Sequence, residues 1–141
     1  MDIQTELAFA ATIGNIAAVP NSPQARVYFD VPSGYGLQAG QLMKWRDERR
    51  SVDVVVCGAD GYTIDRIEFY ANVYKVSTSR DKGQIITLQF PTLEFKELYN
   101  TLTGVYEHGG LLVVACFPRE GEYDDGEVRQ NYNRKSRRRP A

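Results

Sequence analysis

The sequence predicts a mainly β domain with two α-helices, of the α+β class, built as two β-β-α-β units forming a six-stranded barrel, closed or partly open, with pseudo-two-fold symmetry. Three observations predict it. Apolar residues alternate with period two over long stretches, helical spacing occurs in only two places, and the second half of the chain repeats the first at an offset of 59 or 60 positions. Leu7, Phe9, Ala11 and Ile13 fall on Ile67, Phe69, Ala71 and Val73; Val27, Phe29, Val31 and Pro32 fall on Ile86, Leu88, Phe90 and Pro91; Val54, Val55 and Cys57 fall on Val113, Val114 and Cys116. A unit of half this length exposes an apolar face that it cannot cover alone, so the repeat argues for two units around one interior.

The first strand is predicted over Glu6 to Ile16, where Leu7, Phe9, Ala11 and Ile13 share one face. Pro20, Asn21, Ser22 and Pro23 interrupt it. Arg26 to Val31 then resumes the alternation with Val27, Phe29 and Val31 facing in, which makes a hairpin. After a turn over Pro32 to Gly36, Leu37 to Arg50 has helical spacing through Leu37, Ala39, Leu42, Met43 and Trp45. Its last turn collects Arg46, Arg49 and Arg50, the sign that a helix C-terminus favours. Ser51 to Gly58 is a short run rich in β-branched residues, predicted as a buried strand, and a polar turn from Ala59 to Thr63 closes the unit.

The pattern then starts again. Ile67 to Val76 alternates, Ser77 to Gly83 forms a hairpin loop, and Gln84 to Phe90 is the return strand ended by Pro91. Thr92 is placed to cap a second helix carrying Phe95, Leu98, Tyr99, Leu102 and Tyr106 on one side. Gly109 and Gly110 stop it, and Leu111 to Phe117 is the matching buried strand. Strand, strand, helix, strand, taken twice over residues 6 to 118, resembles the cradle-loop barrels, the group of double-psi and related six-stranded barrels. That resemblance implies strands interleaved between the two units. A two-layer sheet with both helices on one face is the competing arrangement.

Residues 1–118 thus read as one globular domain of two repeats, 6–58 and 66–118. The body carries 10 Lys and Arg against 13 Asp and Glu. Glu120, Glu122, Asp124, Asp125 and Glu127 then form an acidic block, followed by a basic arm of Arg129, Arg134, Lys135, Arg137, Arg138 and Arg139. Residues 119–141 hold little that can pack, and are predicted to be a disordered acidic-then-basic tail. A hydrophobic content of 43% and a charged content of 25% are those of a soluble globular protein. No apolar run reaches the roughly 18 residues of a spanning helix, and Met1 to Thr12 lacks the layout of a secretory signal, which predicts a cytoplasmic, intracellular protein with no membrane partner.

Chemistry-bearing signatures are sparse. Cys57 and Cys116 read as two buried thiols rather than a disulfide, and two Cys with one His make no zinc site. His108, beside Gly109 and Gly110, reads as an exposed residue at a helix end. No nucleophile elbow, Walker loop or dinucleotide fingerprint occurs, so no enzyme, cofactor or metal is predicted.

Binding signals are clearer. If Phe69, Ala71 and Val73 face in, Tyr70 and Tyr74 face out, and Arg66, Lys75, Arg80 and Lys82 interleave cations with them along one hairpin; Tyr28 lies outside on the first hairpin. Rings that stack on bases beside cations that track phosphates are the residue mix of single-stranded nucleic-acid binders. The basic arm, with Arg134, Lys135, Arg137, Arg138 and Arg139, adds sequence-independent phosphate contact. The sequence therefore predicts a non-enzymatic binder of single-stranded DNA or RNA, of the kind that phages and mobile elements encode. The alternative is a structural or inhibitory interaction module that forms homo-oligomers through strand faces or docks on a host protein. Ala8, Ala10 and Thr12, small and uncharged on the outside of the first strand, suit the alternative.

Overall fold

The computed structural model describes residues 7–60 and 66–119. Along the chain run β1 (Leu7–Ala18), β2 (Gln24–Val31), α1 (Gly36–Asp47), β3 (Ser51–Gly58), β4 (Ile67–Thr78), β5 (Gln84–Pro91), α2 (Leu98–His108) and β6 (Leu112–Pro118). The strands close into an antiparallel barrel in the order β1-β2-β5-β4-β3-β6, with β6 pairing back onto β1. Only the β1–β2 and β4–β5 ladders are hairpins within one half of the chain; β2–β5, β3–β4, β3–β6 and β1–β6 all join the halves. β3 and β6 therefore find both their partners in the other half, and among the described residues closure leaves no open strand edge to attract another chain.

Alternation fills the interior. Phe9 and Phe29 meet edge to face at 6.3 Å, and Phe69 and Phe90 at 5.5 Å, within a core that also takes Val27, Val52, Val54, Val56, Ile86, Leu88 and Val114. The helices feed the same core, α1 with Leu42 and Trp45, α2 with Leu98, Leu102 and Val105. α1 lies against β4, and α2 against β1.

Several details differ from the sequence expectation. Leu37 is 90% exposed and Met43 also faces outward, so α1 buries only Ala39, Leu42 and Trp45. α2 begins at Leu98 rather than near Thr92. The Thr92 amide is held by the Pro23 carbonyl at 2.9 Å, and Phe95 leaves the helix to pack edge-on against Phe69 and Tyr70. In the third strand the offset of 59 fails, because Val54 is buried whereas Val113 is 42% exposed; the inward set Val52, Val54 and Val56 matches Leu112, Val114 and Cys116 at 60. Cys57 accordingly sits half-buried on the outer surface, while Cys116 is buried, free, and pushed up to about 12 by loss of hydration.

Two irregularities matter for the surface. β1 is bulged between Ile13 and Asn15, and β4 between Val73 and Lys75, so Gly14 and Tyr74 are the extra residues. The β4–β5 turn places Lys82 at φ 70° and then needs a glycine: a Cβ on Gly83 would run into the Val31 carbonyl oxygen. Among the described residues no helix is long and apolar enough to cross a membrane.

Candidate nucleic-acid interface

The bulge in β4 defines the site. A regular strand would turn alternate residues inward, but the extra residue puts Tyr74 and Lys75 outside in succession, and Tyr74 is 42% exposed. The Arg26 guanidinium lies over its ring, 3.8 Å from the centroid. Arg26 Nε donates to Gln89 Oε1 at 2.8 Å, across the β2–β5 ladder, which fixes the guanidinium plane. From α1, Arg46 Nε donates to the Tyr74 carbonyl at 2.9 Å. Ring and cation are thus held in place by three separate elements.

Beside this pair is a pocket of about 270 Å³ lined by Arg46, Arg49, Arg50, Asn72, Val73, Tyr74 and Gln89. The three arginines come from the end of α1, where the Arg50 amide bonds to the Trp45 carbonyl at 2.8 Å and the Arg49 amide to the Arg46 carbonyl at 3.0 Å. This is the Schellman arrangement, and it requires a left-handed residue after the cap. Arg49 fills that position at φ 62°. A left-handed non-glycine residue costs about 1 kcal/mol, so Arg49→Gly should raise stability by about 0.5–1 kcal/mol in a chemical melt. A variant that melted earlier would show that the contacts of the Arg49 side chain outweigh that backbone cost.

The polar wall of the pocket offers donors. Gln89 Oε1 is taken by Arg26, and Asn72 Oδ1 accepts from Ser51 Oγ at 2.8 Å, leaving the two amide nitrogens to present beside the guanidinium groups. Asn72 and Gln89 are direct cross-strand partners. Asp47, the acid bound to Arg46 at 3.5 Å, is 69% exposed and does not line the pocket.

The other sequence-predicted residues divide. Tyr28 and Lys75 flank Thr87 in one cross-strand row that begins at Asn15, so Tyr28 and Lys75 stand about 10 Å apart on the face that carries Tyr74. Thr87, between them, is only 2% exposed. Tyr70 is drawn away from this face. Phe95 packs edge-on at 5.0 Å, Glu94 accepts from its hydroxyl, and Arg119 lies over its ring at 4.5 Å, so Tyr70 and Tyr74 do not form one platform. Arg66, just before β4, is paired with Glu68 at 2.8 Å, an exposed pair of little energetic weight.

Arg80 and Lys82 lie about 20 Å along β4 from Tyr74, in the β4–β5 turn. There a broad depression of about 600 Å³ is lined by Arg80 together with Thr12, Asp30, Ser79, Asp81 and Gln84. Bonds from the Ser79 hydroxyl and the Gly83 amide hold the Asp81 carboxyl below its usual range, so that end of the barrel stays anionic as well as cationic. Arg134, Lys135, Arg137, Arg138 and Arg139 lie outside the described residues, as does the acidic block.

Arg26, Arg46, Arg49, Arg50, Asn72 and Gln89 are not among the sequence-predicted site residues. The arginines of α1 read there as partners of the helix dipole, and only the fold carries them to β4. His108 is exposed, its Nδ1 2.9 Å from the Gly104 carbonyl. No group of His, Cys, Asp or Glu among the described residues is placed to hold a metal ion. Compared with protein-family models and with curated proteins, the chain matches none.

Proposed function

We propose that this protein binds single-stranded nucleic acid, without catalysis, across the outer face of β1, β2, β5 and β4. The observation that carries the reading is Tyr74, held exposed on a bulge with Arg26 over its ring and Arg46, Arg49 and Arg50 around the adjoining pocket. A base can stack on that ring while its phosphates meet guanidinium groups, and Tyr28 and Lys75, about 10 Å apart one row away, add a further ring and a further cation to the face. Five of the ten body cations, Arg26, Arg46, Arg49, Arg50 and Lys75, gather here, which offsets the negative balance of the body as a whole.

The reading includes a duplicated β-β-α-β unit. In its support, every ladder register maps onto another, or onto itself, when β1, β2 and β3 are replaced by β4, β5 and β6 at offsets of 60, 59 and 60. Under that mapping the two bulges coincide, Gly14 on Tyr74. One bulge packs beneath the Asp30 carboxylate and the other carries the exposed ring, so a shared scaffold would have one cationic face and one equivalent position left small.

The test is fluorescence anisotropy with short labelled single strands of DNA and RNA over a range of salt. The expected result is micromolar or tighter binding whose logarithm falls linearly with the logarithm of salt, with a slope of several contacted phosphates. Deleting residues 128–141 should shallow the slope, and Tyr74→Ala should weaken binding at every salt. Absence of salt-sensitive binding at micromolar protein would overturn the proposal.

A different patch favours the alternative of a self-assembling module. The rows Ala8–Ala115–Val55 and Ala10–Val113–Cys57 run across β1, β6 and β3 on the outside, and no charged side chain is among them. Sedimentation velocity separates the two readings: a defined oligomer that ignores oligonucleotide supports assembly, and a monomer that binds oligonucleotide supports the first reading.

A further inference from the structure

The broad depression beside the β4–β5 turn has the wrong charge for a phosphate and the right groups for a base. Around a volume of about 600 Å³ it sets two carboxylates, Asp30 and Asp81, against one guanidinium, Arg80, so a sugar–phosphate backbone gains little there. It nevertheless opens on the face that carries Tyr74. Thr12, Asp30, Ile85 and Ser77 form the cross-strand row next to that of Asn15, Tyr28, Thr87 and Lys75, with Asp30 about 7 Å beyond Tyr28 along β2. Asp81 is engaged by the Ser79 hydroxyl and the Gly83 amide. Asp30 makes no hydrogen bond or ion pair among the described residues, and its carboxylate lies against the bulge in β1, where a Cβ on Gly14 would stand 2.5 Å from Oδ2. Two acceptor oxygens are therefore presented side by side. Donors on Thr12, Arg80 and Gln84 surround them, and Pro32 with Leu111, 52% exposed, gives an apolar surface on which a ring can rest. Among the common bases guanine alone offers two adjacent donors, N1–H and N2–H, beside an acceptor, O6. Adenine and cytosine offer one exocyclic amine with acceptors next to it, and thymine one N–H between two carbonyls.

We propose that this depression is a guanine subsite, in which the Asp30 carboxylate accepts from N1–H and N2–H of the base while Arg80 or Gln84 donates to O6. It rests on the nucleic-acid reading for the strand that delivers the base, and the match between carboxylate and guanine edge stands without it. The volume is that of an ordinary small-molecule pocket, ample for one base with its sugar. Asp30 is then the residue that gives an otherwise sequence-tolerant face a preference at one position, with two parallel charge-assisted bonds that no other common base can form.

The experiment compares, on the full chain, a short labelled oligothymidylate with the same strand carrying one central guanine, adenine, cytosine or hypoxanthine; free guanosine is titrated separately with amide shifts as the readout. The guanine strand should bind about tenfold more tightly than the others, and hypoxanthine, which keeps N1–H and O6 but lacks the N2 amine, should fall between. Asp30→Asn should bring the ratio close to one. Gly14 is outside the left-handed region, so Gly14→Ala displaces the carboxylate without removing it and should also shrink the preference. Melting curves check that both variants fold. Tyr74→Ala should weaken every strand and leave the ratio intact. Equal, salt-sensitive binding of all the strands would overturn the subsite and leave the strand-binding reading standing, and a guanine preference that survives Asp30→Asn would overturn it as well. Guanosine shifting the amides of Thr12, Asp30 and Gln84, with no oligonucleotide bound, would keep the subsite and remove the strand. Failure of every probe would remove both.

Discussion

Phe90→Ala should lower the unfolding free energy by about 3–5 kcal/mol, the cost of deleting a fully buried ring whose place cannot be refilled. Phe90 is 0% exposed, meets Phe69 edge-on at 5.5 Å, and lies on β5, which pairs with β2 of the first half and β4 of the second. Since domains of this size hold only about 5–15 kcal/mol, the variant should lose a large share of its stability and unfold at markedly lower urea. The shape of the curve matters as much as the size of the loss. With four of six ladders joining the halves, neither half can stay folded alone, and a urea titration should show one transition by fluorescence and by circular dichroism alike. Two separated transitions would mean that the halves hold independent cores.

Removing the ring and the cation above it should do to binding what Phe90→Ala does to stability. Tyr74→Ala should cost about 1–3 kcal/mol of oligonucleotide affinity, the range of one base–aromatic stack, and Arg26→Ala a similar amount through the lost guanidinium face and phosphate contact. The double variant should lose less than the two losses combined, because Arg26 over Tyr74 acts as one recognition unit. Titration calorimetry on the four proteins gives the coupling. Stability should change by under about 1 kcal/mol in each, since both side chains are on the outer surface. Affinity unchanged in Tyr74→Ala would separate this face from the ligand altogether.

Much of the barrel was legible because period-two alternation reports which side of a strand is buried. Leu7 to Ile13, Val27 to Val31 and Ile67 to Val73 needed no other information. What the pattern could not carry was anything set by long-range pairing. Closure depends on β6 returning to β1, and nothing local to Leu112–Pro118 distinguishes that from an open edge. In β6, Leu112 to Phe117 is apolar throughout and lacks a polar phase, so an offset of 59 sets Val54 against Val113 with the faces exchanged. Phe95 has helical spacing from Leu98 and Tyr99 but is drawn out to cover Phe69 and Tyr70. The site was half legible for the same reason. Alternation alone placed Tyr70, Tyr74 and Tyr28 outside, yet the bulge that pairs Tyr74 with Lys75 and the covering of Tyr70 by Glu94, Phe95 and Arg119 are tertiary events. Arg46, Arg49 and Arg50 have a sufficient local explanation at the end of α1, and only the docking of α1 on β4 gives them a second one.

The most direct measurement is amide chemical-shift mapping of the isotopically labelled full chain as a short single-stranded oligonucleotide is added. Shifts are expected to concentrate at Asn15, Arg26 to Tyr28, Arg46 to Arg50, Asn72 to Lys75 and Thr87 to Gln89, with Ala8, Val55 and Val113 unmoved. Shifts gathered on Ala8, Val55, Val113 and Ala115, or none at saturating oligonucleotide, would contradict the nucleic-acid reading.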